Sequence, residues 1–187
     1  MRPRARLGVL GALIVTVGLV ACGGSSDGVE SVVLDEPGEY QQPTIALNDD
    51  LRGEPIETTV LLDTNDDEVD LADLIGQPLV INFWFSACPP CKREMPALQT
   101  VSETYADTVR FIGINSVDSR DRMLDFAEEM GVSYELLRDP DSELLVSNGI
   151  AAFPTTLFVD ANGSVVKQIA GEVTVEVLTS TIEELLA

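Results

Sequence analysis

The 187-residue chain contains no histidine. That absence excludes Ser-His-Asp and Cys-His catalysis and every metal site that uses an imidazole. Cysteine is scarce: Cys22, Cys88 and Cys91 are too few for a four-thiolate zinc site, and an odd count gives one of them a separate fate from the other two. Basic residues are few, 11 Lys plus Arg against 32 Asp plus Glu, a net charge of −21. Residues 1–21 hold Arg2, Arg4 and Arg6 but no acid, so without them eight bases face the 32 acids, a net of −24. A surface of that sign argues against nucleic acid as a partner. With 45% hydrophobic residues, the charge reads as a solvated shell around a normal core and not as an acidic disordered tail. No internal repeat is evident, which leaves a solenoid without support. The long apolar run at the start, Leu7 to Ala21, is shorter than the ~20 residues a spanning helix needs.

What is present begins with an address. Three arginines, the short apolar run and a small residue form a secretory signal pattern over residues 1–21. Its end, Leu19-Val20-Ala21-Cys22, resembles the lipobox of bacterial lipoproteins. The resemblance implies that Cys22 becomes the mature N-terminus and is lipidated, which anchors the protein at the extracytoplasmic face of the cell membrane. An ordinary signal anchor with an incidental cysteine is the alternative. Diacylglycerol supplies two chains, enough for stable anchoring where one chain binds only marginally. Residues 22–43, with Gly, Ser, Pro and acids, read as a flexible tether in which only Val32-Val33-Leu34 has the character to dock.

Residues 44–187 read as one domain of ordinary size. Thr59 to Asp63 and Val69 to Leu71 flank a polar turn as in a β-hairpin. Leu79 to Phe85 is nearly continuous in apolar character, the signature of a central strand covered on both faces. A helix follows from Pro89 to Tyr105, then a strand at Val109 to Val117 and a helix at Arg120 to Met130 ended by Gly131. A strand near Tyr134 to Leu137, a short helix at Ser142 to Asn148, strands at Thr155 to Asp160 and Val165 to Ala170 around Asn162-Gly163, and a helix at Val175 to Leu186 complete the pattern. Strands alternating with helices, with an antiparallel hairpin near the end, specify an α/β class.

The order and spacing of several landmarks resemble the thioredoxin superfamily, specifically the extracytoplasmic disulfide reductases of the TlpA/ResA type. The landmarks are Asn82-Phe83-Trp84, Cys88-Pro89-Pro90-Cys91-Lys92-Arg93-Glu94-Met95-Pro96, Phe153-Pro154-Thr155-Thr156, Asp160-Ala161-Asn162-Gly163 and Gly171. The resemblance implies a thioredoxin-like fold: a central mixed sheet flanked by helices, an N-terminal β-hairpin extension, and an αβ insertion between the motif helix and the Pro154 strand. Two positions depart from the pattern. Ala87 stands where such proteins often have an aromatic residue before the first cysteine, and Asn82 stands where thioredoxin has a buried acid, which removes one candidate proton acceptor.

Thiol-disulfide exchange needs a thiolate nucleophile and a second thiol to resolve the mixed disulfide. A CxxC at a helix start supplies both: backbone N–H groups and the helix dipole favour the anion on Cys88 at the exposed start, while Cys91 lies one turn in. Pro89 and Pro90 fit there because the first helical N–H groups have no intrahelical partner to lose. Pro-Pro places no imidazolium beside Cys88, which favours a reducing pair over an oxidising one. Taken alone, the pair also reads as a structural crosslink or half a zinc site. Glu94, three residues after Cys91, falls near the same helix face. By resemblance it is the acid that tunes the thiols, and as a general base it accepts the Cys91 proton; the alternative is a surface Glu favoured by the helix N-terminus. Trp84, Pro89, Pro90, Phe153 and Pro154 are the candidate substrate-binding residues, although a Trp at position 84 reads more readily as core beneath the site than as a substrate contact. The resemblance implies a cis Phe153–Pro154 bond facing the cysteines and a neighbouring backbone that binds substrate as an added strand.

These features specify a thiol-disulfide oxidoreductase that needs no cofactor and no metal. Its partners are exported protein thiols and disulfides, with cytochrome c maturation as one setting, and a membrane thiol-disulfide electron donor; it works as a monomer. A peroxiredoxin would need Pro at 81 and Thr at 85, where the chain has Ile81 and Phe85. A copper-carrying module on this fold uses a histidine beside the cysteines. A structural domain with an inert disulfide is the third alternative.

Overall fold

A computed structural model describes residues 48–187; the expected signal segment 1–21, Cys22 with its lipid, and the tether 22–43 lie outside the described residues.

The hydrophobic pattern of the chain translates into a seven-stranded mixed sheet. Strands β1 (Val60–Leu62) and β2 (Glu68–Asp70) form the N-terminal hairpin, and a 3-10 turn follows at Leu71–Leu74. Then come β3 (Leu79–Trp84), α1 (Pro89–Thr104), β4 (Arg110–Asn115), α2 (Arg120–Met130), β5 (Glu135–Arg138), the one-turn α3 (Glu143–Ser147), β6 (Thr155–Val159), β7 (Val165–Ala170) and α4 (Val175–Leu185). The strand order is β2-β1-β5-β4-β3-β6-β7. β3 is parallel to β4 and antiparallel to β6, and β4 is parallel to β5. The insertion between α1 and β6 thus extends the sheet beyond β4, and the hairpin joins its outer edge through Leu62 opposite Arg138. Among the described residues, no helix is long and apolar enough to cross a membrane.

Every residue of β3 is buried, so the period-2 alternation of a strand sorts its side chains between two cores. Leu79, Ile81 and Phe83 enter one core with Ile112, Ile114, Leu157 and Val159, covered by Leu61, Leu71, Leu144 and Ile150. Val80 turns to the opposite face with Leu98, Phe111, Phe158, Leu178 and Ile182, and Trp84 joins Met95, Met123 and Phe126. Asn82 lies between Val80 and Trp84 and shares their face, beneath α1.

The helix ends follow their sequence signals. Ser119 caps α2 by accepting Arg122 N–H, and Gly131 ends it in the left-handed region at φ 68°, where a side chain would be strained. Asp160 closes the β6–β7 hairpin by accepting the N–H groups of Asn162 and Ser164. The boundaries expected from sequence hold to within two residues in each of these elements. The 3-10 turn after β2 is an addition to that pattern; Asp70 caps it by accepting Ala72 N–H.

Gly113 on β4 lies beside Asn82 in the parallel register, where side chains of the neighbouring strands close over it. A Cβ there would come within 2.8 Å of Leu136 Cδ2, 2.9 Å of Trp84 Nε1 and 3.2 Å of Tyr134 Cε2. Gly113→Ala is therefore expected to overpack this layer and lower stability by about 1–3 kcal/mol, read from the urea midpoint at constant m-value. An unchanged midpoint would show that the Trp84 layer has slack.

Candidate active site: a buried carboxyl beneath a capped dithiol

The two motif cysteines come together at the start of α1 as a disulfide, with Cα atoms 5.3 Å apart. Cys88 is the N-cap, with extended φ −91° and ψ 106°; Pro89 and Pro90 are the first two helical residues. The Cys88 Sγ accepts the N–H of Cys91 at 3.2 Å, so a sulfur does the capping that an Asp or Ser oxygen usually does. Sequence reasoning places Cys88 on an exposed helix start. The structure corrects this: Cys88 is 3% exposed and Cys91 0%, because Trp84, Met95, Phe126 and the half-buried Phe153 close around them. The first cysteine remains the more accessible, but only slightly. Ala87 and Pro89 beside it are exposed and Pro90 is half-buried, so the proposed contact surface surrounds a recessed sulfur.

For Trp84 the structure bears out the core reading and corrects its place among the substrate-binding candidates. The residue is fully buried, stacked on Phe126 with ring centroids 5.5 Å apart, and forms the floor beneath the disulfide, away from any surface a substrate meets. The aromatic residues at the rim are Phe85 and Phe153, edge to face at 5.2 Å. Phe153 is half-buried, Pro154 is buried, and the bond between them is cis. The Pro154 carbonyl accepts Gly171 N–H at 2.8 Å, while the backbone of Phe153 makes no hydrogen bond among the described residues.

Glu94 is 1% exposed, which rules out the surface-residue reading. Its Oε1 accepts Asn82 Nδ2–H at 2.8 Å and its Oε2 accepts Val173 N–H at 3.0 Å. Asn82 also donates to Thr156 Oγ1 at 3.0 Å, the residue directly opposite it on β6. Burial of the carboxylate pushes the Glu94 pKa up to about 7, against the pull of these two hydrogen bonds and with a smaller upward push from Glu172. Asn82, in sequence the loss of an acid, is thus a donor to the acid that α1 brings in. Cys91 and Glu94 share the buried face of α1.

A second polar cluster fixes the approach to Cys88. Asp118 accepts Ser86 N–H at 2.6 Å, Ser86 Oγ–H at 2.7 Å and Asn115 Nδ2–H at 2.8 Å, and Arg122 donates to Ser86 Oγ at 3.0 Å. Lys92 and Arg122 lie over the Phe126 ring at 5.6 and 5.7 Å from its centroid. Lys92 also pairs with Glu129, and Arg93 with Glu172, on the exposed surface. Sequence reasoning misses Thr156, Val173, Ser86, Asp118 and Arg122 as parts of the site. Thr156 alone has a signal, its place in the Phe153-Pro154-Thr155-Thr156 motif.

The raised Glu94 pKa makes a statement about stability. Below about pH 4.5 the carboxyl is protonated in both folded and unfolded chains and has no effect. Between about 4.5 and about 7 the folded chain holds the proton that the unfolded chain has released, so stability falls as pH rises and levels off above about 7. The full loss is roughly 3 kcal/mol. The difference in unfolding free energy between the oxidised parent and Glu94→Gln should follow this curve; a difference flat from pH 4 to 8 would show that Glu94 titrates normally.

The sequence model of the Redoxin family matches residues 51–186. The thiol-disulfide oxidoreductase ResA of Bacillus subtilis is 31% identical over 116 residues, which span 62% of this chain and 65% of that protein. The thiol:disulfide interchange protein HelX of Rhodobacter capsulatus is 36% identical over 121 residues, 64% of this chain and 66% of HelX. The chain thus spans about two thirds of the length of these relatives. The crystal structure of a thiol:disulfide interchange protein of the thioredoxin family from Chlorobium tepidum shares the fold, with a TM-score of 0.64 at 24% identity over 74% of this chain and 100% of that one. With the family matched across the whole sheet, and the dithiol at the head of α1, the chain belongs to the Redoxin family as a thioredoxin-like protein of the TlpA/ResA type.

Proposed function

We propose that this protein is a thiol-disulfide oxidoreductase, anchored by lipid at the extracytoplasmic face of the cell membrane, that reduces disulfides in exported proteins through Cys88 and Cys91. The observation that carries this reading is the Cys88–Cys91 disulfide at the N-terminus of α1 with the buried carboxyl of Glu94 on the same helix face. In the reduced protein, the Cys88 thiolate attacks one sulfur of a substrate disulfide. A Cys88–substrate disulfide forms, and the other substrate sulfur leaves as a thiolate that takes a proton from water. Cys91 then gives its proton to the Glu94 carboxylate, and its sulfur attacks the Cys88 sulfur. The Cys88–substrate bond breaks, the second substrate sulfur departs as a thiolate that takes a proton from water, and two electrons have moved from the protein to the substrate. A pKa of about 7 suits the proton step, since an acceptor near ambient pH both takes and returns a proton readily. The Phe153 backbone, which makes no hydrogen bond among the described residues, lies beside the cysteines and supports binding of the substrate as an added strand.

The electron donor that re-reduces the pair is a membrane thiol-disulfide protein in this reading, and cytochrome c maturation is the setting proposed for the substrates; support comes from the sequence similarity to HelX and ResA. Cys88→Ser should abolish disulfide reduction, while Cys91→Ser should accumulate mixed disulfides with envelope proteins on Cys88, identified by diagonal gels and mass spectrometry. Faster alkylation of Cys91 than of Cys88 in the reduced parent at neutral pH would reverse the assignment.

The anchor is tested separately. The intact mass of the protein from membranes should correspond to a chain that begins at an acylated Cys22. A retained 1–21 segment or an unmodified Cys22 would reject the lipid anchor and leave the dithiol chemistry standing.

A further inference from the structure

The hydrogen bonds around Glu94 have one loose end. The carboxylate accepts Asn82 Nδ2–H and Val173 N–H, and the other Nδ2–H of Asn82 goes to Thr156 Oγ1. This is the pattern of an ionised Glu94, because a carboxylate only accepts. The Oδ1 of Asn82 is buried and has no hydrogen-bond partner among the described residues. Such an oxygen is costly to leave unpaired.

A proton on Glu94 reverses the pattern. Val173 N–H is a backbone donor and keeps Oε2 an acceptor, so the proton belongs on Oε1, where it would point at the N–H of Asn82. A half-turn of the Asn82 amide removes that clash. Oδ1 then accepts the Glu94 O–H, and the Thr156 hydroxyl, which both donates and accepts, turns to donate to the same oxygen. The ionised form is held by three hydrogen bonds, and the protonated form by three; the half-turn exchanges an unpaired Oδ1 for an unpaired Nδ2 on the side where no partner lies among the described residues.

We propose that Asn82 and Thr156 are positioning residues for the exchange, an amide and a hydroxyl that reverse together so that the buried Glu94 carboxyl takes and releases a proton without losing a hydrogen bond. The inference rests on the reading above in which Glu94 accepts the Cys91 proton: the S–H bond breaks, the O–H bond forms, and the electron pair stays on the attacking sulfur. Burial, which holds the Glu94 pKa near 7, is then the main cost of ionising it. The other groups that face this carboxyl leave the pattern intact. Glu172, after β7, adds a negative charge but is paired with Arg93. The Tyr134 phenol, before β5, is kept protonated by its own burial and by Glu94. Cys88 and Cys91 are disulfide-bonded, and Lys92 pairs with Glu129 away from the core. An Asp at position 82 would supply a second negative charge, and a Leu would supply neither donor nor acceptor.

The test uses the full chain, oxidised and labelled with 13C and 15N. The Glu94 carboxyl carbon and the Asn82 side-chain amide are followed by NMR from pH 5 to 9. The expected result is strong contacts from the Nδ2 protons of Asn82 to the Glu94 and Thr156 side chains at high pH, lost at low pH with the same midpoint as the Glu94 carbon. Contacts that persist unchanged while Glu94 titrates overturn the proposal. Asn82→Leu should raise the Glu94 midpoint by at least one pH unit, since the ionised form loses the stronger, charge-assisted bond; an unmoved midpoint counts against the proposal, and the amide measurement on the parent decides it if this variant does not fold. The oxidised chain carries no Cys88 or Cys91 thiol, so failure here is distinct from failure to reduce a substrate, which the trapping experiment reads.

Discussion

The site depends on a carboxyl group held where water does not reach it. Glu94 enters from α1, Asn82 meets it from β3, Thr156 supports Asn82 from β6, and Val173 closes the set from the segment before α4. A buried acid of this kind is tolerated only when its oxygens find donors, and here the donors come from elements up to 79 residues away in sequence. The arrangement couples the dithiol helix to the central strands: α1 cannot slide or turn without taking a carboxyl from its partners. It also keeps the carboxyl proposed above as the proton acceptor at a fixed position on the helix that carries both sulfurs.

The parity of β3 makes this possible. Because its side chains alternate between faces, Asn82 and Trp84 must both point toward α1 once Leu79, Ile81 and Phe83 fill the opposite core. A polar residue in the middle of a strand buried on both faces is out of place unless it has a partner, and the register opposite Thr156 and beneath Glu94 provides two. Gly113 on the neighbouring strand has no side chain, which leaves the room that Trp84 and Leu136 fill above it.

Much of this is legible in the amino-acid sequence. The run Leu79 to Phe85 marks a central strand, Arg120 to Met130 with Gly131 marks a helix, and Asn162-Gly163 marks a hairpin, because each rests on local periodicity or turn chemistry. Cys88 and Cys91 are legible from their spacing at a helix start, and Glu94 from the family resemblance, with spacing adding only that it falls near the same helix face. The rest is not, since it depends on contacts distant in sequence. Nothing near Ser86 announces Asp118, and nothing near Glu94 announces the N–H of Val173. The recess around Cys88 and the depth of Trp84 escape the sequence for the same reason: α2 brings Phe126 over the site, and no pattern along α1 or β3 records that.

The depth of Cys88 sets a requirement on whatever meets it. Cys88 is only 3% exposed and lies recessed between Ala87, Pro89 and Phe153, and attack demands a straight approach along the axis between the two sulfurs that exchange. A disulfide locked inside a finished protein cannot project into that recess. One on a chain still extended, or on a loose loop, can. On the function proposed above, such a recess would act as a sieve on shape before any chemistry occurs, favouring disulfides on chains that have yet to close over crosslinks that belong to completed folds.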